Sequence, residues 1–114
     1  MAFTEIELKK IDKIVGAFCK ERTPEGLEDQ LMVCYRVQNQ DVLIYERRPR
    51  WNNPQEFTDS AVAKLKFVRT ANIWQLYWQR ANSKWVSYTP YPANKELKVL
   101  VKEIDKDQFG CFFG

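Results

Sequence analysis

At 114 residues, with 45% hydrophobic and 29% charged residues, the chain matches one ordinary domain. That is long enough to bury a core without metal or disulfide staples, and far from the aromatic-poor composition of disorder. The formal charge of +3 is mild, but residues 30–92 hold nine Arg or Lys against four Asp or Glu, which favours a polyanionic partner without the strong basicity of a dedicated nucleic-acid binder. The absence of histidine excludes Ser-His-Asp and Cys-His nucleophilic systems and His-ligated metal sites.

Thr4, followed three residues later by Glu7, forms a capping box that starts a helix at about residue 5, with Phe3 placed to staple against Leu8. Ile11, Ile14, Val15 and Phe18 recur at helical spacing, and Thr23, Pro24 and Gly26 end the run. Residues 30–38 alternate as a strand, with Leu31, Val33, Tyr35 and Val37 on one face. A turn at Asn39 and Gln40 pairs Val37 with Val42 and Tyr35 with Ile44 in a hairpin. The second strand is expected to run to about Arg48, where Pro49 and the polar WNNPQEFTDS break the pattern.

A third strand, 61–69, turns at Thr70 and Ala71 and sets Phe67 beside Trp74, Leu65 beside Leu76, Lys66 beside Gln75 and Lys64 beside Tyr77. Each pair matches apolar with apolar or polar with polar, which supports that register because a one-residue slip would invert every side chain. A two-residue loop of Ala81 and Asn82 then places Trp78 opposite Trp85 in a fifth strand over 84–89. Asn94 is the expected cap of a last helix with Leu97, Leu100, Val101 and Ile104 as its buried stripe. The expected fold is a single α+β domain over 1–114: an antiparallel five-stranded meander with an N-terminal and a C-terminal helix covering one face.

In that register Trp74, Leu76, Trp78 and Trp85 join Leu65 and Phe67 in the core. The opposite face mixes cations with phenol rings: Tyr45, Arg47, Lys64, Lys66, Tyr77, Lys84 and Tyr88, together with Arg36. Sheets of this kind bind single-stranded nucleic acid, bases stacking on the rings while Lys and Arg track phosphates. Lysine beside tyrosine is also ordinary on a solvated face. At the strand end ERRPRWNN adds Arg48, Arg50 and Trp51 as a lateral clamp, or as charge and proline that protect an edge.

Other chemical signals fail. Cys19, Cys34 and Cys111 are odd in number and unpaired in spacing, and MAFTEIELKK carries acids where a signal peptide is basic then apolar, so a reducing cytoplasm is expected. No apolar run is long enough to span a bilayer. DKDQFG lacks the third oxygen ligand and the glutamate of a calcium loop. CFFG lacks the aliphatic middle and usual last residue of a prenylation box, and Phe109, Phe112 and Phe113 are expected to tuck against the domain. No metal, cofactor or catalytic residue is assigned.

WxLYW (74–78), WxxYxP (85–90), the terminal FGCFFG and the preceding AKLKFVRT resemble the bacterial "domain of unknown function 3024" family over most of the chain. The resemblance implies a stand-alone bacterial cytoplasmic domain and supplies no activity. The function expected is therefore non-enzymatic binding of single-stranded nucleic acid or another polyanion through the basic sheet face. The alternative is a protein partner or a second copy, held at a sheet edge or by the Phe-rich tail.

Overall fold

The computed structural model describes residues 3–113. Thr4 opens the first helix through both bonds of a capping box: the Glu7 N–H donates to Thr4 Oγ1 at 3.2 Å, and the Thr4 N–H donates to Glu7 Oε1 at 2.8 Å. Helix α1 (Glu5–Ile11) continues through a π-helical turn (Asp12–Gly16) into α2 (Ala17–Arg22). Phe3 does not staple against Leu8. Its ring stacks on Trp74 at 5.6 Å and lies 6.0 Å from Phe67, where the sheet offers a larger apolar surface than one leucine. Gly16 has a specific role in the π turn, since a Cβ there would stand 2.8 Å from Asp12 Oδ1, the oxygen that accepts the Tyr35 hydroxyl at 2.6 Å. Burial, then that bond to Asp12, pushes the Tyr35 phenol up to about 12.

The strands are β1 (Met32–Gln38), β2 (Asp41–Arg50), β3 (Asn53–Val68), β4 (Ile73–Gln79), β5 (Trp85–Ser87) and β6 (Ala93–Asn94). They form an antiparallel sheet in the meander order β1-β2-β3-β4-β5, with β6 also paired to β4. The pairs Val37↔Val42, Tyr35↔Ile44, Phe67↔Trp74, Leu65↔Leu76, Lys66↔Gln75 and Lys64↔Tyr77 all fall where alternation puts them. One face carries Val42, Ile44, Leu65 and Leu76, each fully buried against Ile11 and Val15 of the first helical run and against Leu100 and Ile104 of α3 (Leu97–Lys106). Each such side chain contributes about 2 kcal/mol relative to exposure. The fold is thus α+β, with the N- and C-terminal helices on one face of an open sheet.

The structure departs from the local sequence signals at three further places. The polar stretch after Arg48 is not a break: β2 continues to Arg50, and β3 begins at Asn53 and runs for 16 residues. Its distal half pairs Arg47 with Asp59 and Pro49 with Phe57. Because β1 ends opposite Arg47, β2 is an edge beyond that point and accepts proline. At Ile44/Tyr45 the register shifts by one, leaving Val62 as the extra residue of a β-bulge, buried beside Ala63. The polar helix cap also differs: Glu96 is the N-cap of α3, while Asn94 acts two residues earlier, its Oδ1 accepting the Glu96 N–H at 2.7 Å.

The third departure, in the β4–β5 loop, changes the sheet faces. Gln79, not Trp78, lies opposite Trp85, and Trp78 lies opposite Val86. The loop is Ala81, Asn82 and Ser83, closed by the Arg80 N–H donating to the Lys84 carbonyl at 2.9 Å. Asn82 Oδ1 accepts the Lys84 N–H at 3.1 Å, and Ser83 takes φ 67, the left-handed residue that a three-residue hairpin loop requires. One extra loop residue reverses the strand's faces. Trp85 turns to the side of Lys64, and Tyr88 turns into the core at 2% exposure, its N–H donating to the Leu76 carbonyl.

Candidate functional site

The face opposite the helices is built by alternate residues of β1 to β4, with Trp85 of β5 beside them. Arg36 of β1 lies opposite Leu43 of β2, which lies opposite Lys64 of β3, which lies opposite Tyr77 of β4. Tyr45 and Arg47 follow along β2. The bulge at Val62 sets Ala61 opposite Tyr45 and Asp59 opposite Arg47 on β3, with Phe57 of the same strand near Arg47.

Cations and rings meet repeatedly here. Lys64 Nζ lies 5.1 Å from the Tyr77 ring and 5.3 Å from the Trp85 ring. The Arg36 guanidinium lies 5.3 Å from the Tyr45 ring, and Arg47 lies 5.6 Å from Tyr45 and 6.0 Å from Phe57. Each cation sits within reach of the negative face of a π system. Tyr77 is oriented by its hydroxyl donating to Gln75 Oε1 at 2.9 Å. Burial raises the Tyr45 phenol above its ordinary value, so it is protonated and neutral at physiological pH.

The cations divide into two groups. Arg47 grips Asp59 with two bonds, at 2.9 and 3.2 Å, Arg48 pairs with Glu46 at 3.2 Å, and Arg50 pairs with Glu56 at 2.9 Å. The Arg47 guanidinium holds the Asp59 carboxyl below its usual range. Among the described residues, Arg36, Lys64, Lys66 and Lys84 make no ion pair.

The structure therefore brings together Tyr45, Arg47, Lys64, Lys66 and Tyr77. It places Tyr88 in the core and Lys84 opposite Arg80 at the strand end, both turned from that face by the three-residue loop. Arg48, Arg50 and Trp51 sit on the distal β2–β3 arm, where every residue from 50 to 61 is exposed and Trp51 is 94% exposed. Sequence reasoning missed Trp85 and Phe57 on the face. The signal for Trp85 was the missing Asn-Gly pair at residues 81–82, which leaves a three-residue loop available. Phe57 carried no signal, because its register depends on the bulge at Val62.

The remaining chemical groups are occupied structurally. Burial pushes the Cys19 thiol up to about 12 and raises those of Cys34 and Cys111, so all three favour the unreactive protonated form. Asp107, at φ 45, accepts the Phe112 and Phe113 N–H groups at 2.9 and 2.8 Å and clasps the tail. Phe112 packs on Tyr88 at 4.9 Å, and Phe113 lies under the Arg22 guanidinium at 4.0 Å, whereas Phe109 is exposed. Gly114 of the CFFG box lies outside the described residues. Among the described residues no helix is long and apolar enough to cross a membrane.

Fold and face together define an α+β domain with one helix-covered and one open, cationic and aromatic sheet surface. The profile of the family described as Domain of unknown function (DUF3024) matches residues 3–114, and the chain belongs to that family. No curated protein and no solved structure matches the chain.

Proposed function

We propose that the protein is a non-enzymatic module that binds single-stranded nucleic acid on its open sheet face. One observation carries the reading: Lys64, free of any ion pair among the described residues, reaches both the Tyr77 and the Trp85 ring, at 5.1 and 5.3 Å, on the face opposite the described helices. Two rings within reach of one cation provide stacking surfaces for bases and a charge for the adjoining phosphate. Tyr45, with Arg36 beside it, repeats the unit two strands away. Lys66 extends the charge along β3. Arg47 belongs to the same face, but its contact with phosphate competes with Asp59. The three free cysteines support a reducing compartment, the cytoplasm, as the setting.

Anisotropy of labelled single-stranded DNA and RNA, titrated with the protein at low and then moderate salt, tests this. Three phosphate contacts from Arg36, Lys64 and Lys66 give a log–log salt slope of roughly −2, since each contact contributes about −0.7 on a single strand. Lys64→Ala is expected to lower that slope by about 0.7, and Tyr77→Ala to cost about 1–3 kcal/mol of binding with little effect on the slope. Absence of binding at low salt, or binding indifferent to salt, would overturn the proposal.

A further inference from the structure

The second feature that points to a ligand is at the other side of the sheet and is independent of the open face. β1 is an edge strand. Its hairpin with β2 turns through Asn39 and Gln40 alone, so Gln38 and Asp41 exchange both backbone bonds. Alternate residues Val33, Tyr35 and Val37 then direct their N–H and C=O groups outward, to the free edge. The first of these is already satisfied within the chain: the Val33 N–H donates to Thr23 Oγ1 at 3.0 Å, while that hydroxyl donates to the Cys19 carbonyl at 2.8 Å. Tyr35 and Val37 have no comparable partner among the described residues.

Along this edge runs an open groove of about 990 Å³, bounded by α2, the segment after Thr23, and β1 from Met32 to Tyr35. Its rim is acidic, with Asp12, Glu21, Glu25 and Glu28 against a single Lys20. Tyr35 is locked at the groove wall by its bond to Asp12.

We propose that this edge captures an extended, lysine- or arginine-rich peptide segment of another protein, which adds to the sheet as a further strand. Backbone bonds to Tyr35 and Val37 hold the peptide, and its cationic side chains meet the carboxylates of the rim. A strand needs no particular sequence for the backbone bonds, so the rim sets the preference for positive charge. A second copy of the chain is the disfavoured occupant, because edge-to-edge pairing of two β1 strands brings two acidic rims together.

The test uses a short synthetic peptide of alternating lysine and valine, its backbone N-methylated form, and an alternating glutamate and valine control, each added to the full chain. Amide exchange and peptide anisotropy are read together. The lysine peptide is expected to bind saturably and to slow exchange of the Tyr35 and Val37 amides. The N-methylated and glutamate peptides are expected not to bind. Glu25→Lys with Glu28→Lys, both exposed and outside the core, is expected to weaken the lysine peptide about tenfold, whereas Lys64→Ala leaves it unchanged. No binding of the lysine peptide would overturn the proposal. So would equal binding of its N-methylated form, or binding without protection of Tyr35 and Val37. Protection that rises with protein concentration alone would assign the edge to a second copy and overturn it as well.

Discussion

The two halves of the β2–β3 hairpin share the same pair of strands and are held in different ways. In the proximal half, Val42 faces Leu65 and Ile44 faces Ala63, all fully buried under the helices. In the distal half, no residue from 50 to 61 is buried, and the ribbon carries three ion pairs, Arg47 with Asp59, Arg48 with Glu46 and Arg50 with Glu56. Exposed pairs of this kind contribute little each, so the arm depends on the anchored half for its stability. Backbone pairing extends well past the region where hydrophobic burial stabilises the fold.

The largest test of that contrast is Leu65→Ala, which removes a fully buried side chain and is expected to cost about 2–5 kcal/mol in urea unfolding. The matching change on the arm, Phe57→Ala, truncates a side chain that is 55% exposed and should cost less than about 1 kcal/mol. If the two costs were similar, the arm would be part of the cooperative core.

At the other end of β3 an ion pair is more sheltered than the outermost pair of the arm. Arg69 holds Glu7 through two bonds, both at 3.0 Å, and ties the start of α1 to the β3–β4 turn. The side chains are 32% and 30% exposed, less than those of the Arg50–Glu56 pair. The Arg69 bond, then the Thr4 backbone bond, holds the Glu7 carboxyl down from an ordinary 4.5 to about 2. A depressed carboxyl stabilises the fold above its unfolded value, and that contribution fades as pH falls through the folded one. Glu7→Gln keeps a capping-box residue and removes the charge. Its melting temperature is expected to lie below the parent's at neutral pH, with the gap closing between 4.5 and about 2. A gap independent of pH would contradict the pairing. The smallest effect is Trp51→Ala, at the arm's tip and 94% exposed, which should change stability by no more than about 0.5 kcal/mol.

Burial of one face also decides which pairings the residue types reveal. Where one face is buried, alternation reports the register, so Val37 with Val42 and Phe67 with Trp74 could be paired from residue types alone. On the arm both faces are polar, and no alternation marks residues 53–60 as strand. Trp85 and Tyr88 failed for another reason. Both are aromatic and suit either face, so only the loop length decides between them, and a left-handed Ser83 is not an obvious turn signal. Phe3 likewise had a local partner in Leu8 and a better one at Trp74, 71 residues away in the chain, that local spacing does not reveal.

Binding of single-stranded nucleic acid on the open face around Lys64, as proposed, is open to a direct test by backbone amide shifts on adding a short oligothymidylate at low salt. Shifts are expected to group at Arg36, Tyr45, Lys64, Lys66, Tyr77 and Trp85, including the Trp85 indole N–H, with the helices and the tip around Trp51 unmoved. Shifts confined to the arm or the helices, or none at all, would contradict it.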